Sequence, residues 1–232
     1  KAATKKNDLT GTLNYWTDSG YNIEFYFDNY GTTLTMVSIA YNPEELANLK
    51  KIISEHPYPQ VDAVFCSPLL RCRQTAKCIY PKHSIIEIRD LIEVDFGVFE
   101  GAYAPDIMRI MGASLFLNRD LSLTFSGGES LQNVLDRAIS AVNQIIAQAL
   151  ERQYQTVAVV SHAMLIGTFL QYQADSVLSH EVLSCPNGFG ISVEVDPDLW
   201  NQTKSVHFRD LLPKGADRGR SEDSPFFITA VE

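Results

Sequence analysis

Residues 156–160 read TVAVV, an apolar run that suits a central strand buried on both faces. Ser161-His162 and a further apolar helix follow directly. The same grammar recurs upstream. The run DAVFC, residues 62–66, leads into SPLLRCRQTAKCIY, where Ser67 is placed to cap a helix and Pro68 to occupy its first position. Leu69, Cys72, Ala76 and Ile79 form the buried stripe of that helix. NIEFYF, residues 22–27, reads as the first strand. A helix follows in NPEELANLKKIISEH, with Asn42 as cap, Pro43 inside the first turn and Glu45 completing a capping box. SIIEI reads as a short strand. A long helix is predicted from about Glu129, with Leu131, Leu135, Ala138, Val142, Ile145 and Ala149 at helical spacing. GFGISVEVD reads as a late strand. Strands alternating with helices predict an α/β layered fold with a mainly parallel sheet.

Composition narrows the functional classes. Hydrophobic residues make up 45% of the 232-residue chain and charged residues 20%, the balance of a water-soluble globular protein. No stretch approaches the roughly 18–20 apolar residues of a membrane span. The net charge of −9 argues against nucleic acid as a partner. The four cysteines, Cys66, Cys72, Cys78 and Cys185, lack zinc-site spacing and read as buried free thiols in a reducing cytoplasm. The polar start, KAATKKNDLTGTLN, has no apolar signal core. It also lacks Met, which leaves room for a cleaved leader.

Polar residues gather at the predicted strand ends: Asn29 and Tyr30 after the first strand, Ser67 to Arg71 after the second, Glu93 before VDFG, and His162 after TVAVV. Ligands of open α/β sheets bind at the carboxyl ends of strands. An arginine and a histidine there, beside helix N-termini, suit an anion.

FCSPLLRCRQTA, LIEVDFGVFEG, GGESLQNVLDR and VAVVSHAMLI, in that order, resemble four blocks of the histidine phosphatase superfamily. The resemblance runs over about residues 22 to 195. It implies the phosphoglycerate-mutase-like three-layer α/β/α sandwich, here over residues 14–212, with 103–128 as a lid or insertion. Residues 1–13 and 213–232 are expected to be peripheral tails, the latter partly disordered. The resemblance implies phosphoryl transfer through a histidine, without metal or cofactor. It implies Arg71 as a phosphate clamp, Glu93 as the proton donor and His162 as the second histidine. Thr33 and Ala163 join Asn29, Arg71 and His162 as expected phosphate contacts. A small phosphorylated ligand or inorganic phosphate is the expected partner. Phe116, Leu117, Arg119 and Phe125 in the lid either contact that ligand or pack the lid.

One block departs from the family. In NIEFYFDNYGTT, Asn29 falls on the arginine and Tyr30 on the nucleophilic histidine of the Arg-His-Gly loop. A phenol has a pKa near 10, so only about 0.1% is ionised at neutral pH. Without the arginine's charge, Tyr30 is a poor phosphoryl acceptor. The expected function is a catalytically impaired phosphatase that keeps an anion pocket. The alternatives are an active phosphomonoesterase with an unconventional nucleophile or direct water attack, and an interaction module with a vestigial pocket. A hydrolase is expected before a mutase.

Overall fold

The computed structural model describes residues 3–6, 12–16, 22–27, 34–39, 43–100, 102, 104–111, 118–183 and 188–216. The central sheet is parallel, in the order β6-β5-β7. Its middle strand is β5 (Ala63–Cys66), flanked by β6 (Ile85–Glu87) and β7 (Val157–Val160). Val64 pairs with Ile85 on one side and Ala158 on the other.

The sheet is covered on both faces because side chains of β5 alternate. Val64 and Cys66 pack with Cys72 and Ala76 of α2 (Leu70–Ile79). Ala63 and Phe65 point the other way, onto Ala141 and Ile145 of a 22-residue helix, Leu131–Arg152. This is the expected helix-sheet-helix layering, and it follows from the two-residue period of a strand with both faces apolar.

The element order is otherwise as follows. α1 (Pro43–Glu55) precedes β5, α3 (Ala104–Met111) follows β6, and α4 is the long Leu131–Arg152 helix. Then come α5 (Ala163–Gln173), α6 (His180–Leu183), β8 (Gly190–Glu194), α7 (Pro197–Thr203) and β9 (His207–Leu212). β8 and β9 pair antiparallel. The larger core lies between α4 and α5, where Trp200 tilts against Phe169 and donates Nε1–H to Asn143 at 2.8 Å.

Three expectations are corrected. The strand predicted to open the parallel sheet, Asn22–Phe27 (β3), instead belongs to an antiparallel meander with β1 (Ala3–Lys6), β2 (Thr12–Trp16) and β4 (Leu34–Ile39). Residues 28–33 are too few to cross between parallel strands, which takes about a dozen or more, so β3 and β4 pair as a hairpin. β7 is neither central nor buried on both faces: among the described residues it pairs only with β5, and on its faces Val159 is 44% exposed. The helix after β5 starts at Leu70, not Pro68, and Ser67 does not supply a standard cap for it. Its hydroxyl accepts the N–H of Leu69 and engages His162.

Phe65 is fully buried and sits at the junction of β5 with α4. Phe65→Ala is expected to destabilise the fold by about 3–5 kcal/mol, read from urea unfolding. A loss under about 1 kcal/mol would show that this layer does not hold the sheet to α4.

Candidate functional site

The site is built where β5 and β7 end. His162 is the residue before α5, with its backbone still extended, and Ala163 opens the helix. The first N–H groups of a helix have no partner within it, and they sit at its positive pole. Glu93 meets them. Its Oε1 accepts the N–H of Val94 at 3.0 Å and of Leu165 at 3.3 Å, and the Met164 N–H also reaches the carboxyl. Glu93 thus acts as a carboxylate cap brought from a different part of the chain.

His162 is 5% exposed. Its Nε2 is hydrogen-bonded to the Ser67 hydroxyl at 2.9 Å, and the Cys72 sulfur lies 3.4 Å from the same nitrogen. Burial lowers the imidazole pKa well below its usual range, and the charges of Arg71 and Arg137 lower it further. His162 is therefore neutral at pH 7. Burial raises the Glu93 carboxyl above the ordinary range, although the N–H donors and the positive charge of Arg71 pull the other way. Arg71, in the first turn of α2, thus acts electrostatically on both groups. Arg71, Glu93 and His162, expected together from the sequence, are brought together with Ala163. Asn29, Tyr30 and Thr33 lie outside the described residues.

The other nucleophile-type side chains here are already engaged. Ser67 is fully buried on His162. Cys72 gives its thiol hydrogen to the Ser161 carbonyl at 3.2 Å, and burial holds its pKa far above the usual thiol range. Cys66 is pushed up to about 12 by burial. A thiol in that state has almost no thiolate at pH 7. Among the described residues no group of three or more His, Cys, Asp or Glu is arranged to hold a metal.

The GGES…Arg block carries a structural role that its pattern alone does not reveal. Arg137 of α4 pairs with Glu129 through Nε at 2.7 Å and Nη2 at 3.0 Å. Its remaining donors take the carbonyls of Asp90 at 2.9 Å, Ile92 at 2.6 Å and Glu93 at 3.0 Å. The segment that carries Glu93 is therefore clamped to α4. Gly128 makes the clamp possible: a Cβ there would sit 2.3 Å from the Asp95 carbonyl. A half-buried arginine eight residues after a glutamate is a signal only once both are seen to face one loop. Of the lid residues, Phe125 is 1% exposed and packs edge-on against Phe96, so it fills the core rather than facing a ligand. Phe116 and Leu117 lie outside the described residues.

The profile of the histidine phosphatase superfamily (branch 1) matches residues 44–202, more than half of the chain. The chain belongs to this superfamily. The match begins after residues 22–33, where the sequence reading placed the nucleophile loop. No curated protein matches. Solved structures resemble the fold. A phosphoglycerate mutase from Thermus thermophilus aligns with TM-score 0.52 and 22% identity, over 68% of this chain and 80% of that one. A putative α-ribazole-5′-P phosphatase from Escherichia coli gives 0.51 and 22%, over 75% and 84%. A mycobacterial glucosyl-3-phosphoglycerate phosphatase with inorganic phosphate gives 0.51 and 19%, over 72% and 81%. At these identities the likeness concerns the fold.

Two outcomes follow from the site's geometry. Arg137→Ala leaves Glu129 and three carbonyls without their donor and is expected to cost about 3–5 kcal/mol in urea unfolding. A loss below about 1 kcal/mol would mean that the clamp is not needed. Glu93→Gln keeps an acceptor for the α5 N–H groups but cannot ionise. A carboxyl whose folded pKa is raised costs stability above its unfolded pKa, about 4.3, as it is forced to ionise. The melting temperature of Glu93→Gln should therefore exceed that of the parent protein at pH 8, with the gap closing toward pH 4. A gap of opposite sign, or one flat with pH, would contradict the raised carboxyl.

Proposed function

We propose that this histidine phosphatase superfamily member binds a phosphate or phosphoester anion with Arg71, His162 and the start of α5, and turns it over poorly or not at all. The observation that supports this is the juxtaposition at the ends of β5 and β7. A cation, a neutral imidazole and a helix N-terminus share one place, with a protonatable carboxyl beside them. That set recognises a tetrahedral dianion and could protonate a leaving oxygen. It does not include a nucleophile. Ser67 and Cys72 are buried and committed to His162 and the Ser161 carbonyl. The loop with Asn29 in place of arginine and Tyr30 in place of histidine is a weak substitute on chemical grounds. A protein without metal or cofactor, in a reducing compartment, goes with this reading.

A bound dianion favours protonated His162, so binding should draw in a proton and strengthen as pH falls from 8 toward 6. Sulfate, whose own charge is constant over this range, is the clean probe. Titration calorimetry in two buffers of different ionisation enthalpy should show proton uptake, and Arg71→Ala should weaken binding at least tenfold. Hydrolysis of an aryl phosphate should stay near background. Ordinary turnover that Arg71→Ala abolishes would sink the impaired-enzyme reading, and no sulfate binding at any pH would sink the pocket.

A further inference from the structure

The second notable arginine is Arg119, from the predicted lid. It is 8% exposed and its backbone is held at φ +47°, a left-handed conformation uncommon for a residue with a side chain. Its guanidinium lies flat on α5 at Gly167, where an added Cβ would come within 2.6–2.8 Å of it. The contact exists because residue 167 has no side chain. Tyr172 of the same helix fixes the Arg119 carbonyl with its hydroxyl at 3.0 Å.

Among the described residues, no acid pairs with Arg119. Its Nη2 donates to the Leu183 carbonyl at a long 3.3 Å, and its Nε has no hydrogen-bond partner. Burial weakens its hold on the proton, and the Glu93 charge offsets this only in part. An arginine stays charged nonetheless. A buried, unpaired charge carries a penalty of several kcal/mol, and an arriving anion would relieve it.

A cavity of about 460 Å³ opens beside it, lined by Arg119, Gln171, Asp175, Ser176, Leu178 and Leu183 among others. This is the size of a small-ligand site. Its lining at Ala174, Asp175 and Ser176 lies past the C-terminal end of α5, while the Arg119 guanidinium meets the helix at Gly167, five residues or about 8 Å along the axis from His162. The acid in its rim is already paired: Asp175 holds His207 at 2.6 Å. Leu178 and Leu183 give it an apolar wall.

We propose that this cavity is a second ligand site, separate from the Arg71–His162 site, for a small organic anion whose carboxylate or phosphate pairs with Arg119 and whose short carbon body lies on Leu178 and Leu183. The negative end of α5 repels a second charge, so a singly charged head on an apolar body fits better than a compact dianion.

The test uses the full chain carrying Arg71→Ala, which disables the first site and keeps the two readings apart. Valerate and the singly charged diester methyl butyl phosphate, titrated calorimetrically, represent the two head groups. At least one should bind saturably in Arg71→Ala, and adding Arg119→Gln should weaken it more than tenfold. Ser176→Trp, at an exposed position on the rim, fills the cavity without touching the core and should do the same. If Arg119→Gln is too unstable to titrate, Ser176→Trp decides alone. Absence of saturable binding of both probes, or binding that survives Ser176→Trp unchanged, overturns the proposal.

Discussion

The guanidinium of Arg137 joins the parts of the molecule that meet at the candidate site. Five oxygens surround it: two of Glu129 and the carbonyls of Asp90, Ile92 and Glu93. Through them the long helix α4 fixes the irregular segment after β6. That segment has no ladder of its own, so its carbonyls need partners from elsewhere. Once it is fixed, the Glu93 carboxyl falls on the first turn of α5, and α5 in turn sets His162 at the end of β7. The charge of Arg137 also reaches His162 and helps keep the imidazole neutral. One half-buried ion pair therefore acts on the position of the acid and on the protonation of the histidine.

The electrostatics of the site oppose one another in the empty protein. Burial discourages charge on both Glu93 and His162, while Arg71 brings a positive charge toward them. A negative charge placed among them would favour the protonated imidazole of His162 and shift the Glu93 carboxyl further toward its neutral form. The proposed anion binding rests on this opposition of burial and charge. The hydroxyl and thiol nearest the imidazole serve as its packing and hydrogen-bond partners.

The residues of the central layers were readable in advance. The apolar runs at 62–66 and 156–160 became β5 and β7, and the helical stripes through Cys72 and Ala76 and through Ala138 and Ile145 cover opposite faces of the sheet. Arg71, Glu93 and His162 were also identified from their places at strand ends and in the four motif blocks. α2 starts two residues later than its capping pattern suggests, because Ser67 has a choice: its hydroxyl is drawn to His162, 95 positions away, rather than serving only as a local cap. Asn22–Phe27 has the pattern of a strand, and it is one. Pattern alone does not say which strands it joins.

The sequence by itself determined what is local: where strands and helices lie, which faces are apolar, and which charged side chains stand at strand ends. These follow from periodicity, capping and turn chemistry over a few residues. The tertiary structure alone decided the rest. It put β3 in an antiparallel meander, left the outer edge of β7 without a strand among the described residues, and closed Arg137 around the acid segment. It also buried Arg119 against a glycine 48 positions further along the chain. Each of these depends on which distant segments meet, and hydrogen bonds and charges are satisfied by whatever lies within about 3 Å in space, whatever its distance along the chain.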